Sequence, residues 1–435
     1  MMKKRLSLII SLVAAIVLLS AASALFLMDR EQPAAHKAIK SERPRVASPD
    51  AIDSEIKALV DGNRAFAFEL YQALRETGGN LFYSPYSISL ALAMTYAGAR
   101  GETAGEMART LQFLLPQNSL HPAFNSLDIE LAGRGEGTQG RDGESFRLNI
   151  VNAIWGQKDF RFQSGFLDVL AANYGAGLRL LDFAKVPEES RLTINDWISE
   201  QTENRIKDLI PQDAINRLTR LVLTNAIYFN AAWQFPFEEH ATRDGIFYLL
   251  DGNEVTVPMM RQAKHLQFDE GKGYQAIELL YDGGEFSMVI LLPDSGHFEA
   301  FEELLSAQKI VPIVDRLEPH YITLTMPVFE FASDFSLKET LMAMGMPAAF
   351  SPENADFSGM TGGRELFIQD VIHKAFVSVD EAGTKAAAAT AVVAPSEPPR
   401  LPPVAVNVDR PFLFYIRDIE TGTILFVGRV LNPGV

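Results

Sequence analysis

The chain of 435 residues contains no cysteine. This excludes disulfides, thiolate metal sites, a cysteine nucleophile and a lipid-modified N-terminal cysteine. Basic residues are also few: 39 lysines and arginines compare with 55 acidic residues, which gives a net charge of −16. Phosphate binding needs a basic face, so this balance argues against a nucleic-acid partner. The hydrophobic fraction of 47% still predicts a chain that is mostly globular.

Motifs of catalysis and metal binding are missing as well. The seven histidines form no H-E-x-x-H or other metal-spaced pair, and the chain has neither a G-x-S-x-G elbow nor a P-loop. A G-x-G-x-x-G match at Gly135, Gly137 and Gly140 has polar flanks and a strand after it, so we interpret it as a flexible surface loop. We therefore expect no enzyme activity, no catalytic residue, no metal site and no cofactor.

The N-terminus has the pattern of an export signal. Lys3, Lys4 and Arg5 precede an uncharged apolar run over residues 6–28, with a small-residue cleavage site at 22–24. The same run is long enough to cross a bilayer as one helix. Residues 1–28 are predicted to be a signal peptide or a membrane anchor that tethers the protein. Both alternatives place the rest of the chain outside the cytoplasm, whether secreted, extracellular or periplasmic.

The remainder divides into a linker and one large domain. Residues 29–50 are polar, carry mixed charge and contain three prolines, so we predict a flexible linker outside the fold. Residues 51–435 show helical periodicity early and strand-like runs late, and nothing in them resembles a second linker. This order predicts a single α+β domain.

The most unusual stretch is 380–403, between two strand-like runs near the C-terminus. Its first half is almost free of bulky side chains, and its second half holds five prolines. A loop of this length inside a compact domain is usually functional or disordered. Taken alone, the alanine run favours a helix or a plain linker, because alanine has the best helix propensity.

Several segments, in chain order, resemble the serpin family over residues 51–433. They are Asn80–Ser89 (the strand-to-helix segment of the "shutter"), Thr224–Trp233 (the central strand ending in the "breach" tryptophan), His373–Ala375 (the strand that enters the reactive loop), Glu381–Thr390 (the hinge of inhibitory serpins), and Asp409–Phe414 with Gly428–Pro433 (the C-terminal motifs). The ordered set is far more specific than the alanine run alone.

The resemblance implies a fold and a mechanism. The fold is a single serpin-like domain with a large central mixed β-sheet, additional smaller sheets, about nine helices and an exposed reactive-centre loop. The mechanism is that of a suicide substrate: a target serine or cysteine endopeptidase attacks the loop, and residues 383–395 insert into the central sheet while the acyl-enzyme persists. Such a protein is metastable until the loop inserts. The resemblance also implies a monomer whose partner is a protease of unknown identity.

The inserting strand has two different faces, because side chains alternate along a strand. Gly383 supplies freedom at the pivot, and Lys385 points away from the predicted inner face. Val328 stands where many serpins carry a basic residue facing the hinge glutamate, so we expect no ion pair at Glu381. The predicted hinge and inner-face residues are Glu381, Gly383, Thr384, Ala386, Ala388, Thr390 and Val392.

Five further residues match the shutter and breach motifs: Ser84, Ser87, Asn225, Trp233 and His373. The resemblance implies that they lie under the opening sheet, where their hydrogen bonds influence stability and latency rather than chemistry. The alternative is that each is an ordinary core polar group satisfied by its neighbours.

The sequence leaves three alternatives for the position of the scissile bond. Family spacing from the hinge places it at Glu397-Pro398, although proline after the bond makes a poor substrate. Counting back from Pro411 places it at Arg400-Leu401, which suits a trypsin-like protease but lengthens the inserting arm. Ser396-Glu397 avoids the proline. The candidates are Ser396, Glu397, Pro398, Arg400 and Leu401. The proline-rich site also leaves open a non-inhibitory serpin-fold binding protein whose loop is cleaved without trapping.

Overall fold

The computed structural model describes residues 37–138, 146–384 and 404–434. The helices in these ranges are α1 (Asp53–Leu74), α2 (Pro85–Tyr96), α3 (Gly101–Thr110), α4 (Gln117–Ala132), α5 (Ser164–Tyr174), α6 (Pro187–Gln201), α7 (Phe298–Glu303), α8 (Ala307–Val314), α9 (Lys338–Met344) and α10 (Ser358–Thr361). Most helical residues precede residue 202, as the α+β prediction requires, and the helix number agrees with the expected nine or so.

The strands in the same ranges are β1 (Lys37–Ile39), β2 (Leu81–Tyr83), β3 (Arg147–Gln157), β4 (Leu178–Leu181), β5 (Leu221–Ala232), β6 (Arg243–Tyr248), β7 (Glu254–Gly271), β8 (Tyr274–Leu280), β9 (Phe286–Pro293), β10 (Glu318–Pro327), β11 (Phe329–Ser336), β12 (Ile368–Val379), β13 (Gly383–Thr384), β14 (Val404–Asn407), β15 (Phe412–Asp418) and β16 (Ile424–Val430). The strands gather late in the chain.

Two sheets organise the domain. The central sheet has seven strands in the order β1-β4-β3-β5-β12-β11, with β13 beside β5. It is mixed, because β5 pairs with β12 and β3 with β4 in parallel, whereas β3 pairs with β5 antiparallel. The second sheet has nine strands, and its long strand β7 pairs with β6, β10 and β8 along successive parts of its length. The predicted large mixed sheet is confirmed.

Helix α2 lies between the two sheets and is buried along its whole length. It packs against β3 and β5 of the central sheet and against β16 of the second sheet. Ser84 caps it by accepting the Ser87 N–H at 3.2 Å, and Pro85 occupies the first helical position, where no N–H is needed. A helix that is apolar nearly all round is expected to be buried, and this one is.

Strand β5 is buried on both faces, as its apolar sequence predicts. Its odd-numbered residues, such as Leu223 and Ile227, belong to the main core around α2. Its even-numbered residues, such as Val222 and Ala226, pack with Trp155 in a second cluster under α6. Odd-numbered side chains of β5 therefore enter the main core, and even-numbered ones face the cluster under α6.

The N-terminal segment differs from the predicted linker. Lys37–Ile39 add a strand to the central sheet, antiparallel to β4. Arg45 then donates to Asn125 at 2.7 Å and to Asp128 at 2.6 Å, both on α4. The linker prediction for 29–50 does not hold for residues 37–46, because an edge strand offers unpaired backbone groups to a neighbouring segment of any composition.

Helices with the length and apolar character needed to cross a bilayer do not occur in the described ranges. The predicted signal peptide or anchor at residues 1–28 lies outside those ranges.

Candidate functional site

The central sheet is forked at one end. Residues 221–227 of β5 pair in parallel with residues 368–375 of β12, and this ladder stops there. Both strands run on, β5 to Ala232 and β12 to Val379. After β12 the chain turns back, and β13 pairs antiparallel with the end of β5, with Gly383 opposite Ala232. The start of the predicted inserting strand therefore already lies in the fork.

Gly383 occupies a place that only glycine fits. Its φ of 144° lies in a region that side chains disfavour, and an added Cβ would lie 2.4 Å from the Ala231 carbonyl oxygen and 2.7 Å from the Ala232 Cα. The turn before it is closed by the Asp380 N–H, which donates to the Gly383 carbonyl at 3.0 Å. The predicted pivot glycine is thus where close backbone approach requires it.

Trp233 lies directly after β5 and against this turn. Its indole N–H donates to the Asp380 carbonyl at 2.9 Å, and its backbone N–H donates to the Ala382 carbonyl at 2.9 Å. Its ring stacks on Tyr281 with centroids 4.7 Å apart and planes 11° from parallel. The structure therefore brings the predicted breach tryptophan to the hinge.

Glu381 has an uncharged partner. The Thr242 hydroxyl donates to its carboxylate at 2.5 Å, and its carbonyl accepts the Phe237 N–H at 2.7 Å. Val328, which the sequence singled out, donates its N–H to the Pro258 carbonyl at 2.9 Å. Sequence reasoning missed Thr242, since an isolated threonine before β6 carries no distinguishing pattern.

Below the fork, the predicted shutter residues form one buried network. His373 of β12 bonds to Asn225 of β5 through Nδ1, and its Nε2 accepts the Ser84 N–H at 3.1 Å. Asn225 donates to the Ser87 hydroxyl and to the side-chain oxygen of Asn152 on β3. His373, Asn225, Ser84 and Ser87 are fully buried.

The network crosses three neighbouring strands. His373 is the registered partner of Asn225, which is the registered partner of Asn152. Any strand that enters between β5 and β12 must therefore break the His373–Asn225 bond. Asn152 was not predicted, because it is one of several polar residues in β3 and no pattern separates it from Arg147 or Asn149.

His373 is held neutral. The Ser84 N–H points at Nε2, so that nitrogen carries no proton, and Nδ1–H donates to Asn225. Burial lowers the pKa of His373 to about 3, because desolvation disfavours the imidazolium. The ring also stacks on Phe335 with centroids 6.3 Å apart.

The structure describes Glu381, Gly383 and Thr384 of the predicted hinge. Outside the described residues lie the rest of the predicted inserting face and all scissile candidates, namely Ala386, Ala388, Thr390, Val392, Ser396, Glu397, Pro398, Arg400 and Leu401. Within ranges 37–138, 146–384 and 404–434, no three His, Asp or Glu residues lie close enough together to hold a metal ion.

A family model described as Serpin (serine protease inhibitor) matches residues 61–433. The chain belongs to the serpin family. This serpin is 40% identical to an uncharacterised serpin-like protein of Thermococcus kodakarensis over 383 residues, 88% of this chain and 87% of that protein. It is 37% identical to leukocyte elastase inhibitor A of Mus musculus, covering 87% of this chain and 100% of that protein.

Solved structures agree with this assignment. The thermophilic serpin tengpin in its native state aligns with a TM-score of 0.80 at 28% identity, covering 91% of this chain and 99% of that one. The predicted serpin fold is therefore confirmed. Family membership and an inhibitory relative support protease inhibition as the general function, and the family description names inhibition rather than catalysis.

Proposed function

We propose that this serpin traps a serine or cysteine endopeptidase as a covalent acyl-enzyme, by inserting residues 383–395 into the central sheet. The protease nucleophile attacks the scissile carbonyl, the new amine leaves with the C-terminal part of the loop, and an ester or thioester holds the N-terminal part. The observation that carries the proposal is the forked sheet, in which Gly383 and Thr384 already pair with β5.

The register of β13 supports insertion of the residues that follow. Thr384 lies opposite Ala231, an odd-numbered residue of β5 in the main core. Side chains of directly paired residues lie on the same face of a sheet, so the even-numbered residues after Thr384 would enter that core. They are Ala386, Ala388, Thr390, Val392 and Ala394, all small or β-branched and uncharged.

Continuing the same register brings Thr390 to the shutter. Gly383 pairs with Ala232 on one side and bridges Asp380 on the other. Extended strand pairing on both sides places Thr390 between Asn225 and His373, the pair that insertion must separate. A hydroxyl both donates and accepts, so Thr390 can bond to Asn225 and His373 in place of their bond to each other. The polar residue among the inserting residues 386–394 of the inner face thus coincides with this polar pair.

Insertion also increases backbone pairing. The native seam has one parallel ladder between residues 221–227 and 368–375. A strand inserted along its length forms an antiparallel ladder with each neighbour, and a typical intramolecular hydrogen bond contributes about 1 kcal/mol net. The gain in hydrogen bonds favours the inserted state and supplies a driving force for trapping.

The proposal is tested with a panel of serine and cysteine endopeptidases. We expect a covalent adduct stable on a denaturing gel with at least one enzyme, and mass spectrometry of the released peptide identifies the scissile bond among Ser396–Leu401. Cleavage by every active protease without any adduct would refute trapping.

Two matched variants test insertion of the inner face. Ala388→Glu places a carboxylate in the main core, whereas Ala387→Glu places one on the opposite face beside Lys385. Burying an unpaired charge costs several kcal/mol, so we expect A388E to be cleaved as a substrate with most of its adduct lost. A387E should lose less of its adduct than A388E, because the new carboxylate lies on the same face as Lys385 and can pair with it. Equal behaviour of both variants would contradict the register.

The alternative is a serpin-fold binding protein whose loop is cleaved without trapping, which the proline-rich segment after residue 394 favours. Thermal unfolding before and after loop cleavage separates the two. Insertion predicts a large rise in the unfolding temperature after cleavage, whereas a loop that stays outside the sheet leaves it unchanged.

We also propose export of a monomer, with residues 6–28 as signal or anchor; the support is the sequence pattern. Lys37 pairs with Leu180, at the end of the central sheet where β5 begins and away from the hinge at Ala232. A retained anchor would therefore join the described fold at the end of the central sheet opposite the hinge. Cell fractionation with mass spectrometry of the mature N-terminus decides between cleavage and anchoring, and light scattering decides the oligomeric state.

A further inference from the structure

The segment from Trp233 to Thr242, named here the clamp segment, is built as a rigid support. It follows β5 and ends where β6 begins, so it joins the two sheets. Trp233 bridges Tyr281 beside β8, and the Gln234 N–H donates to the Leu280 carbonyl at 2.9 Å. A short 3₁₀ turn over Glu239–Ala241 then delivers Thr242, whose N–H donates to the Glu239 carbonyl at 3.1 Å.

The clamp segment holds the hinge through four hydrogen bonds. Three involve the hinge main chain: the Trp233 N–H to Ala382 O, the Trp233 indole to Asp380 O, and the Phe237 N–H to Glu381 O. The fourth joins the Thr242 hydroxyl to the Glu381 carboxylate. It is the bond of the set in which both partners are side chains, so a substitution can remove it without disturbing the backbone.

The arginine next to Thr242 bonds to backbone carbonyls. Arg243 follows Thr242, and its Nη1 donates to the Thr242 carbonyl at 2.6 Å and to the His240 carbonyl. Val328 cannot form an ion pair. Among the ion pairs of the described residues, from Arg43–Asp168 to Arg429–Glu302, Glu381 does not take part. The hinge carboxylate thus depends on a neutral hydroxyl donor.

We propose that Thr242 is the positioning residue of the hinge, and that it keeps Gly383 and Thr384 in the fork through a hydrogen bond that does not depend on the charge of Glu381. The inference rests on the proposed function, because its consequence is kinetic. Because the hinge is already paired with β5, insertion needs no new first contact and is faster than hydrolysis of the acyl-enzyme, which would release the protease. Loss of Thr242 lets the hinge leave the fork and slows insertion relative to that hydrolysis.

Amide hydrogen exchange tests the clamp without any protease. Thr242→Val and Glu381→Ala should each speed exchange of the Trp233 and Phe237 amides by about fivefold, the effect of losing one ordinary hydrogen bond. Thr242→Ser and Glu381→Gln keep a hydroxyl donor and an oxygen acceptor, so both should stay within about twofold of wild type. Amides of residues 368–375 should exchange at the wild-type rate in all four variants.

The double variant and salt sharpen the test. Thr242→Val with Glu381→Ala should match the single variants, because two residues that share one bond are not additive. Wild-type protection should persist in high salt, which screens ion pairs. If E381Q exchanges as fast as T242V, if salt releases the hinge, or if T242V leaves exchange unchanged, the proposal is wrong.

A protease that forms an adduct with wild type supplies the kinetic readout. T242V should consume several times more inhibitor molecules per trapped protease, at an unchanged unfolding temperature, and T242S should restore the wild-type ratio. An unchanged ratio for T242V would overturn the kinetic role. Absence of any adduct with wild type would instead refute the proposed trapping, while the exchange results would still decide whether Thr242 holds the hinge.

Discussion

The two ends of the seam between β5 and β12 are held in different ways. The closed end means the paired part of the seam just below the fork. There His373, Asn225 and Asn152 form a side-chain network across three strands, buried under α2. At the forked end, the hinge is held mainly through its backbone by the partly exposed clamp segment. A buried network is expensive to leave half satisfied, whereas a surface turn opens at low cost. We therefore propose that the barrier to sheet opening lies at the closed end and that insertion starts at the forked end.

Removing the centre of the closed-end network should have the largest effect. Asn225→Ala removes the acceptor of the His373 Nδ1–H and the amide that donates to the Ser87 hydroxyl, and we expect the free energy of unfolding to fall by about 3 kcal/mol. The native protein should also convert faster to the latent form, in which the uncleaved loop has inserted. Denaturant unfolding and timed native gels measure the two effects.

Thr224→Val is the matched control for this substitution. Thr224 is the neighbour of Asn225 on the other face of β5, and it accepts the Trp155 indole N–H at 2.9 Å. That bond joins β5 to β3 rather than to β12, so T224V should lower stability by about 1 kcal/mol without faster latency. Equal latency rates for the two variants would show that the seam bond does not limit opening.

Acid should weaken the closed end next. The unfolded chain takes up a proton at His373 below its ordinary pKa of 6.5, whereas the folded protein resists protonation until about pH 3. Unfolding is therefore favoured as the pH falls through this window, and the loss at pH 5 relative to pH 7 is about 2 kcal/mol.

His121 must be separated from this effect, because burial lowers its pKa to about 4 as well. Denaturant unfolding between pH 7 and pH 4.5, in a His121→Phe background, isolates the part due to His373. Adding His373→Gln should then flatten the pH dependence by about one proton. A slope that survives the second substitution would place the acid sensitivity elsewhere.

The sequence predicted the closed end better than the forked end. Ser84, Ser87, Asn225 and His373 stand in segments with recognisable family motifs, and the structure brings all four together. Asn152 has no such motif. It joins the network only because β3 pairs with β5 in a register that no local pattern reveals.

Long-range pairing accounts for the other differences. Residues 37–39 are too few for a strand to be predicted from their sequence, yet they pair with the edge of β4. Thr242 gains its role from a turn that folds back on the hinge, more than a hundred residues later in the chain. In contrast, burial of α2 and β5 could be predicted from the sequence, because almost all of their residues are apolar.

Gly383→Ala should have the smallest effect on global stability and a clear local one. The new Cβ would collide with the Ala231 carbonyl oxygen, 2.4 Å away, so β13 must leave the fork. Because the hinge is a small part of the fold, and alanine reduces the freedom of the unfolded chain, we expect the free energy of unfolding to change by less than about 0.5 kcal/mol. The Trp233 amide, which donates to Ala382, should nevertheless lose its protection from exchange.

Ala382→Ser provides the neighbouring control, since it keeps an ordinary side chain and leaves the Gly383 contact intact. If G383A instead lowered stability as much as N225A, the forked end would carry as much of the native stability as the closed end. The division between a barrier at one end and a starting position at the other would then fail. If the Trp233 amide stayed protected from exchange in G383A, the hinge would tolerate a side chain against β5. Pairing of β13 with β5 would then not depend on glycine.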